Sequence, residues 1–171
     1  KFFYSGPMFR YERPQKGRYR QFYQIDAEVF GVDNPMVDAE IIIMLIHFLE
    51  RVGLEKLELQ INSLGDRKCR PRYRQELISF LTKRSFQLCE DCQRRIQTNP
   101  LRIFDCKVKT CQEAIADAPK VIDFICDECH VHFDKVLEYV QLAGLNYVLN
   151  PRMVRGLDYY TDTTFEFISG D

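Results

Sequence analysis

Arginines, carboxylates, an amide and aromatic rings crowd the stretch from Phe9 to Gly31 at the spacing of extended chain. Arg10 and Glu12 are two residues apart, and Phe22, Gln24, Asp26 and Glu28 follow the same step. Side chains two apart on a strand point to one side. One sheet face could therefore gather cations, a flat ring, an amide and carboxylates. The basic turn between the strands could close over a polyphosphate. A solvated hairpin would show the same pattern, and spacing alone does not choose between them.

A second group of residues could do a different chemistry. Cys89 and Cys92 form one C-x-x-C pair, Cys126 and Cys129 another, with Cys106 and Cys111 between them. Such pairs suit a tetrahedral zinc site, so Cys89, Cys92, Cys126 and Cys129 are the zinc candidates. Cys126, Cys129 and His130 share one face of a helix, whereas His130 and His132, two apart, cannot. Small thiols packed in a helical core are the alternative. Seven cysteines with no export signal favour free thiols over a disulfide framework, and a cytoplasmic protein.

The elements that must position these groups fall into three parts. Phe2–Tyr4, Met8–Glu12 and Tyr19–Phe30 read as strands, with a hairpin tip at Pro14–Gly17. Asn34 and Pro35 read as the N-cap and first position of a helix, and Gly53 as its stop. Val37, Ile41, Met44, Leu45, Phe48, Leu49 and Val52 give that helix a wide apolar face, with His47 expected at its core or boundary. Leu57, Leu59 and Ile61 alternate with polar residues as a half-buried strand. From Lys68 to Ala143 the pattern is helical, broken at Pro71, Pro100 and Pro119; β character returns at Tyr147–Leu149 and Thr161–Ile168. The expected organisation is α+β: a mostly antiparallel sheet with packed helices over residues 1–66 and 147–171, and a mostly helical insertion over 67–146.

In 171 residues, 46% of them hydrophobic, there is ample material for a core and none of the signature of disorder. No apolar run approaches the ~20 residues that span a bilayer. The net charge of −1 conceals blocks. Residues 1–24 and 67–102 are strongly basic; 25–66 and 103–171 are acidic. Basic surfaces on a neutral molecule attract phosphates. In the second basic block these are Arg67, Lys68, Arg70, Arg72, Arg74, Lys83, Arg84, Arg94, Arg95 and Arg102.

Phe9-Arg10-Tyr11-Glu12, with the basic loop and Phe22, resembles motif 2 of the class II aminoacyl-tRNA synthetases. Arg152-Met153-Val154-Arg155-Gly156-Leu157-Asp158-Tyr159-Tyr160-Thr161 resembles the histidine-specific motif of the histidyl-tRNA synthetases. The order of the motifs and the helical block between them are similar to that family too.

The resemblance implies an antiparallel class II sheet and an enzyme that uses ATP and Mg²⁺ to join L-histidine to the 3′ end of its tRNA. It implies that Arg10 and Arg155 are the catalytic residues on the α-phosphate. Glu12 and Phe22 would hold adenine, and Arg18 the terminal phosphates. Gln24, Glu28, Arg155, Tyr159 and Tyr160 would surround histidine. The family's insertion approaches the tRNA acceptor stem, a role for the second basic block, and a homodimer is implied for the full-length protein. Segments resembling motifs 1 and 3 and the anticodon-binding domain are not found, so the chain is expected to be an inactive fragment of an active enzyme. A catalytically silent regulatory or RNA-binding paralogue is the alternative.

Overall fold

The computed structural model describes residues 1–154 and 160–170. Strands β1 (Phe2–Phe9) and β2 (Gln21–Glu28) form an antiparallel hairpin in which Phe2 faces Glu28 and Phe9 faces Gln21. The expected break after Tyr4 does not occur. Gly6 and Pro7 are carried within β1, because β1 is an edge strand among the described residues and Pro7 can present its missing N–H away from the ladder. The far end also differs from expectation: β1 stops at Phe9, so Arg10 sits at the strand exit and Glu12 in the loop. The Arg10 N–H still donates to the Arg20 carbonyl at 2.8 Å.

Helix α1 (Pro35–Arg51) begins as its sequence dictates. The Asn34 side chain accepts from the Met36 N–H at 2.9 Å, and Pro35 fills the first turn. Such a cap is worth about 1 kcal/mol. Gly53, at φ 88°, lets the chain leave after Val52. The buried stripe is Ala39, Ile42 and Ile46, not the Met44–Phe48 side. Apolar residues occur nearly all round this helix, so periodicity could not select the face that packs. Met36, Met44 and Phe48 instead line an open groove of about 750 Å³ with His47, which is exposed rather than a core residue.

Strand β3 (Leu57–Ser63) is central in a second sheet. It pairs antiparallel with β5 (Thr163–Ser169) and parallel with β4 (Tyr147–Leu149). The parallel pair needs a long crossover, which the intervening helices supply. These are α2 (Arg70–Lys83), α3 (Glu90–Thr98), the short α4 (Lys109–Ala114) and α5 (Asp127–Leu142), linked by 3₁₀ turns. Two cores result. Leu59 and Ile61 of β3, Ala39 and Ile42 of α1, and Phe133, Val136 and Val140 of α5 form one. Tyr73, Leu77, Leu81, Leu88, Ile96 and Ile103 form the other, together with four buried cysteines. Helix α5 belongs to both: Cys129 in its first turn packs in the helical core, the rest against α1 and β3. His132 on α5 meets Asp38 on α1, Nε2 to Oδ2 2.9 Å, fixing the angle between the helices. No helix among the described residues is long and apolar enough to cross a membrane.

Candidate functional site

The hairpin register decides which side chains meet. Residues directly opposite in an antiparallel pair share a face. Met8 opposes Phe22, Gly6 opposes Gln24 and Tyr4 opposes Asp26. Arg10 continues that alternation one step past the strand, and its guanidinium lies 3.7 Å above the Phe22 ring. Stacking holds a guanidinium flat without using its donors. The Arg10 Nε is buried and has no hydrogen-bond partner among the described residues. Gln24 Nε2 donates to Asp26 Oδ1 at 2.6 Å, which fixes the amide on the same face. Glu28, six residues along β2 from Phe22, stands about 20 Å from that stack by the rise of a strand.

In the loop, Arg18 and Glu12 pair with each other at 2.5 Å, both largely in solvent. The Gln15 and Arg18 backbones bond reciprocally across the tip, and Gly17 takes φ 75°, a left-handed turn that glycine enters without strain. Of the sequence candidates, the hairpin thus groups Arg10 with Phe22, Gln24 with Asp26, and Glu12 with Arg18.

Tyr160 stands beside the other sheet, three residues before β5. It lines a recess of about 380 Å³ with Leu45 of α1 and Thr163, Thr164 and Glu166 of β5. Thr163 Oγ1 at the same place is buried without a hydrogen-bond partner among the described residues. Arg155 and Tyr159 lie outside the described residues, but both flanks of that segment are held. The buried Asn62 amide donates to the Met153 carbonyl at 3.2 Å, and the Asn150 amide to Gln60 Oε1 at 2.7 Å. Arg152 reaches the Ala116 carbonyl at 2.6 Å. On the far side the Leu64 N–H donates to the Asp162 carbonyl, and the Asp162 N–H to the Gly65 carbonyl, at 2.7 and 3.0 Å. The sequence pattern does not single out Asn62, Asn150 or Gln60; Asn62 is a buried amide on β3, and Gln60 and Asn150 are half-buried beside it, a setting visible only in three dimensions.

The ten basic residues of the second block divide. Arg84 pairs with Asp117 at 2.8 Å, Arg94 with Asp91, and Arg102 with Asp105 at 3.7 Å. Arg67, Lys68, Arg72, Arg74 and Lys83 have no ion-pair partner among the described residues, and all five are exposed on α2 or its approach. These five gather on α2 and the turn before it, while Arg95 on α3 donates to the Arg102 carbonyl at 3.0 Å.

The zinc candidates part company. Cys89 and Cys92 join Cys106 and Cys111; Cys126 and Cys129 join Cys69 and Asp66, two residues that had not been flagged. His130 is in neither group, and Cys126 stands before α5 as its N-cap. In the first group the Cys92 N–H lowers the Cys89 thiol to about 7, and burial pushes Cys92 and Cys111 up. In the second, burial pushes Cys129 up, and the Cys69 thiol holds the Asp66 carboxyl below its usual range.

A sheet flanked by helices, a strand–loop–strand with a stacked arginine, and a long helical crossover define a class II synthetase-like α+β protein. The family described as histidyl-tRNA synthetase matches residues 1–170. The histidine–tRNA ligases of Syntrophotalea carbinolica and Geobacter sulfurreducens are each 58% identical over 99% of this chain. The crystal structure of apo S. aureus histidyl-tRNA synthetase superposes with a TM-score of 0.71 at 39% identity over 96% of the chain, which covers 37% of that structure. A Bacillus halodurans protein described as an ATP phosphoribosyltransferase regulatory subunit/histidyl-tRNA synthetase shares the fold, with a TM-score of 0.58 at 19% identity over 98% of the chain and 47% of its own. This chain belongs to the histidyl-tRNA synthetase family. It spans about 40% of the length of the curated relatives it matches.

Proposed function

We propose that the chain supplies part of the catalytic core of a histidine–tRNA ligase. The observation that carries this reading is the guanidinium of Arg10 at the exit of β1, stacked on Phe22, with its Nε buried and unpartnered among the described residues, where the resemblance puts the grip on ATP. A desolvated donor without an acceptor is costly, and a phosphate oxygen would satisfy it. Arg10 and Arg155 would stabilise the charge that builds on the α-phosphorus as the histidine carboxylate attacks in line and pyrophosphate leaves. A carboxylate is already a nucleophile, so no strong base is required. Glu12 and Arg18 would exchange each other for adenine and the terminal phosphates, and Gln24 would turn from Asp26 to the histidine amino group. Glu28, Tyr159 and Tyr160 would line the imidazole site, where a donor and an acceptor left unpaired would reject phenylalanine or leucine.

Mg²⁺ would be held mainly by the phosphates themselves, as is usual for this ion. The hairpin offers no cluster of three carboxylates among the described residues. The five cations on α2 and its approach would face tRNA phosphates. The units 1–66, 67–146 and 147–171, a homodimeric full-length protein and a cytoplasmic location complete the proposal.

The test is histidine-dependent exchange of pyrophosphate into ATP by the full-length protein. Exchange with histidine alone among the amino acids is expected, and Arg155→Ala is expected to slow it ~10²–10³-fold, by analogy with an oxyanion-hole donor. Absence of exchange would leave the silent paralogue. In calorimetry Glu28→Ala should weaken histidine binding well before ATP binding; equal losses would remove Glu28 from the imidazole site.

A further inference from the structure

We propose that Cys89, Cys92, Cys106 and Cys111 form a structural zinc site in the helical segment between β3 and β4. Their four sulfurs all lie within 4.8 Å of one another. Four thiolates at ~2.3 Å from a tetrahedral zinc are separated by about 3.8 Å along each edge. Cys89 Sγ and Cys106 Sγ are 3.9 Å apart, close to that edge and nearly twice the ~2.05 Å of a disulfide. All seven cysteines are free thiols.

The chain around the sulfurs is arranged as a thiolate site requires. Cys89 is the N-cap of α3 and Cys92 lies in its first turn, so the positive end of that helix faces the cluster. Cys106 follows the 3₁₀ turn Pro100–Ile103, and Cys111 lies on α4. The Cys89 N–H donates to Cys111 Sγ at 3.1 Å. Backbone N–H groups aimed at sulfur favour the thiolate and orient it, as outer-shell donors do in metal sites. Three of the thiols are buried and Cys89 is half-buried. Cys89 also borders a surface recess with Phe86 and Thr110, which gives an ion a way in. On binding, four S–Zn bonds form and the remaining thiol protons pass to solvent.

The segment has use for such a cross-link. A six-residue α4 and two short 3₁₀ turns, Ser85–Gln87 and Pro100–Ile103, are far below the length at which helix holds by itself. Zinc would tie both turns and both helices at one point.

The Asp66, Cys69, Cys126 and Cys129 group is not equivalent and serves as an internal control. Asp66 Oδ1 already accepts from the Lys68 and Cys69 N–H groups at 2.8 and 2.9 Å. Cys126 Sγ and Cys129 Sγ are in contact at 3.4 Å, inside the tetrahedral edge.

The experiment is metal analysis and cobalt substitution of the full chain, purified reduced and without chelator. The expected result is zinc released by chelator with a fall in Tm, and intense thiolate-to-cobalt charge-transfer bands after exchange. Cys92→Ser should lose one equivalent of metal and weaken those bands, while Cys126→Ser keeps that equivalent. Should Cys92→Ser fail to fold, counting thiols in the native chain decides: four cysteines protected from a thiol reagent until chelator is added support the site. Folded chain that takes up no zinc or cobalt, or mass mapping of these cysteines as disulfides, overturns it.

Discussion

On the β1–β2 hairpin the reactive side chains, the buried Arg10 Nε apart, stand in or near solvent, held by one stack, one amide hydrogen bond and one ion pair. Between α2 and α5 the reactive thiols are sunk among leucines and isoleucines. On the proposed reading Arg10 contributes little to folding and much to a reaction. Cys92, with no exposed surface, is the reverse. On the two proposed readings the difference follows from what each group must meet. A phosphate arrives from water, so its partner must stay accessible; a structural ion is enclosed as the chain folds.

The sharpest way to break that contrast is to remove apolar volume from the helical core. Leu77 is fully buried in the middle of α2. Leu77→Ala should cost about 2–5 kcal/mol in chemical denaturation, through lost transfer energy and a cavity. A loss under 1 kcal/mol would mean that the cysteine-rich core is not tightly packed. Arg10→Ala should do the opposite. Adenylate formation in the full-length protein should fall ~10²–10³-fold, while stability changes by no more than about 1 kcal/mol, the value of a half-exposed cation–π pair. A large drop in stability at wild-type rate would exchange the roles of the two regions.

The junction between β3 and the helical segment supplies an intermediate case. Gly65 has φ 62°, and a Cβ there would lie 2.6 Å from Cys69 Sγ and 2.8 Å from Ile125 Cγ2. It also anchors Asp162, just after the histidine-motif segment. Gly65→Ala should therefore lower stability by about 1–3 kcal/mol, combining backbone strain with overpacking. Thermal melts of the two proteins side by side check this, and an unchanged Tm would show that the junction yields freely.

The same two regions show what can be read from a linear chain. Helix α1 announced itself through Asn34, Pro35 and Gly53, and β3 through the alternation of Leu57, Leu59 and Ile61, because caps and periodicities are local. Phe22, Gln24 and Asp26 on one face were equally local. What was lost depended on partners far along the chain. Pro7 reads as a breaker until its strand is seen to lie at an edge. The side of α1 that packs is set by Phe133 and Val136, more than eighty residues away. The C-x-x-C pairs were legible as pairs, yet Cys89 and Cys92 pair off with Cys106 and Cys111 rather than with Cys126 and Cys129. Spacing carries no record of which pairs meet.

The smallest expected effect tests whether the hairpin loop is held by its own ion pair. Arg18 and Glu12 are 2.5 Å apart, with side chains 48% and 62% exposed. At such exposure the Coulomb attraction is screened by water and salt, and ordering two long side chains offsets much of what remains. A double-mutant cycle of Arg18→Ala and Glu12→Ala, followed by denaturation, should give a coupling energy below about 1 kcal/mol that shrinks as salt rises. That result is what the proposed chemistry requires, since Glu12 and Arg18 must release each other when a nucleotide enters. A coupling of several kcal/mol, insensitive to salt, would instead make the pair a structural clamp, and the hairpin would then resemble the buried thiol core more than a site that opens to ligand.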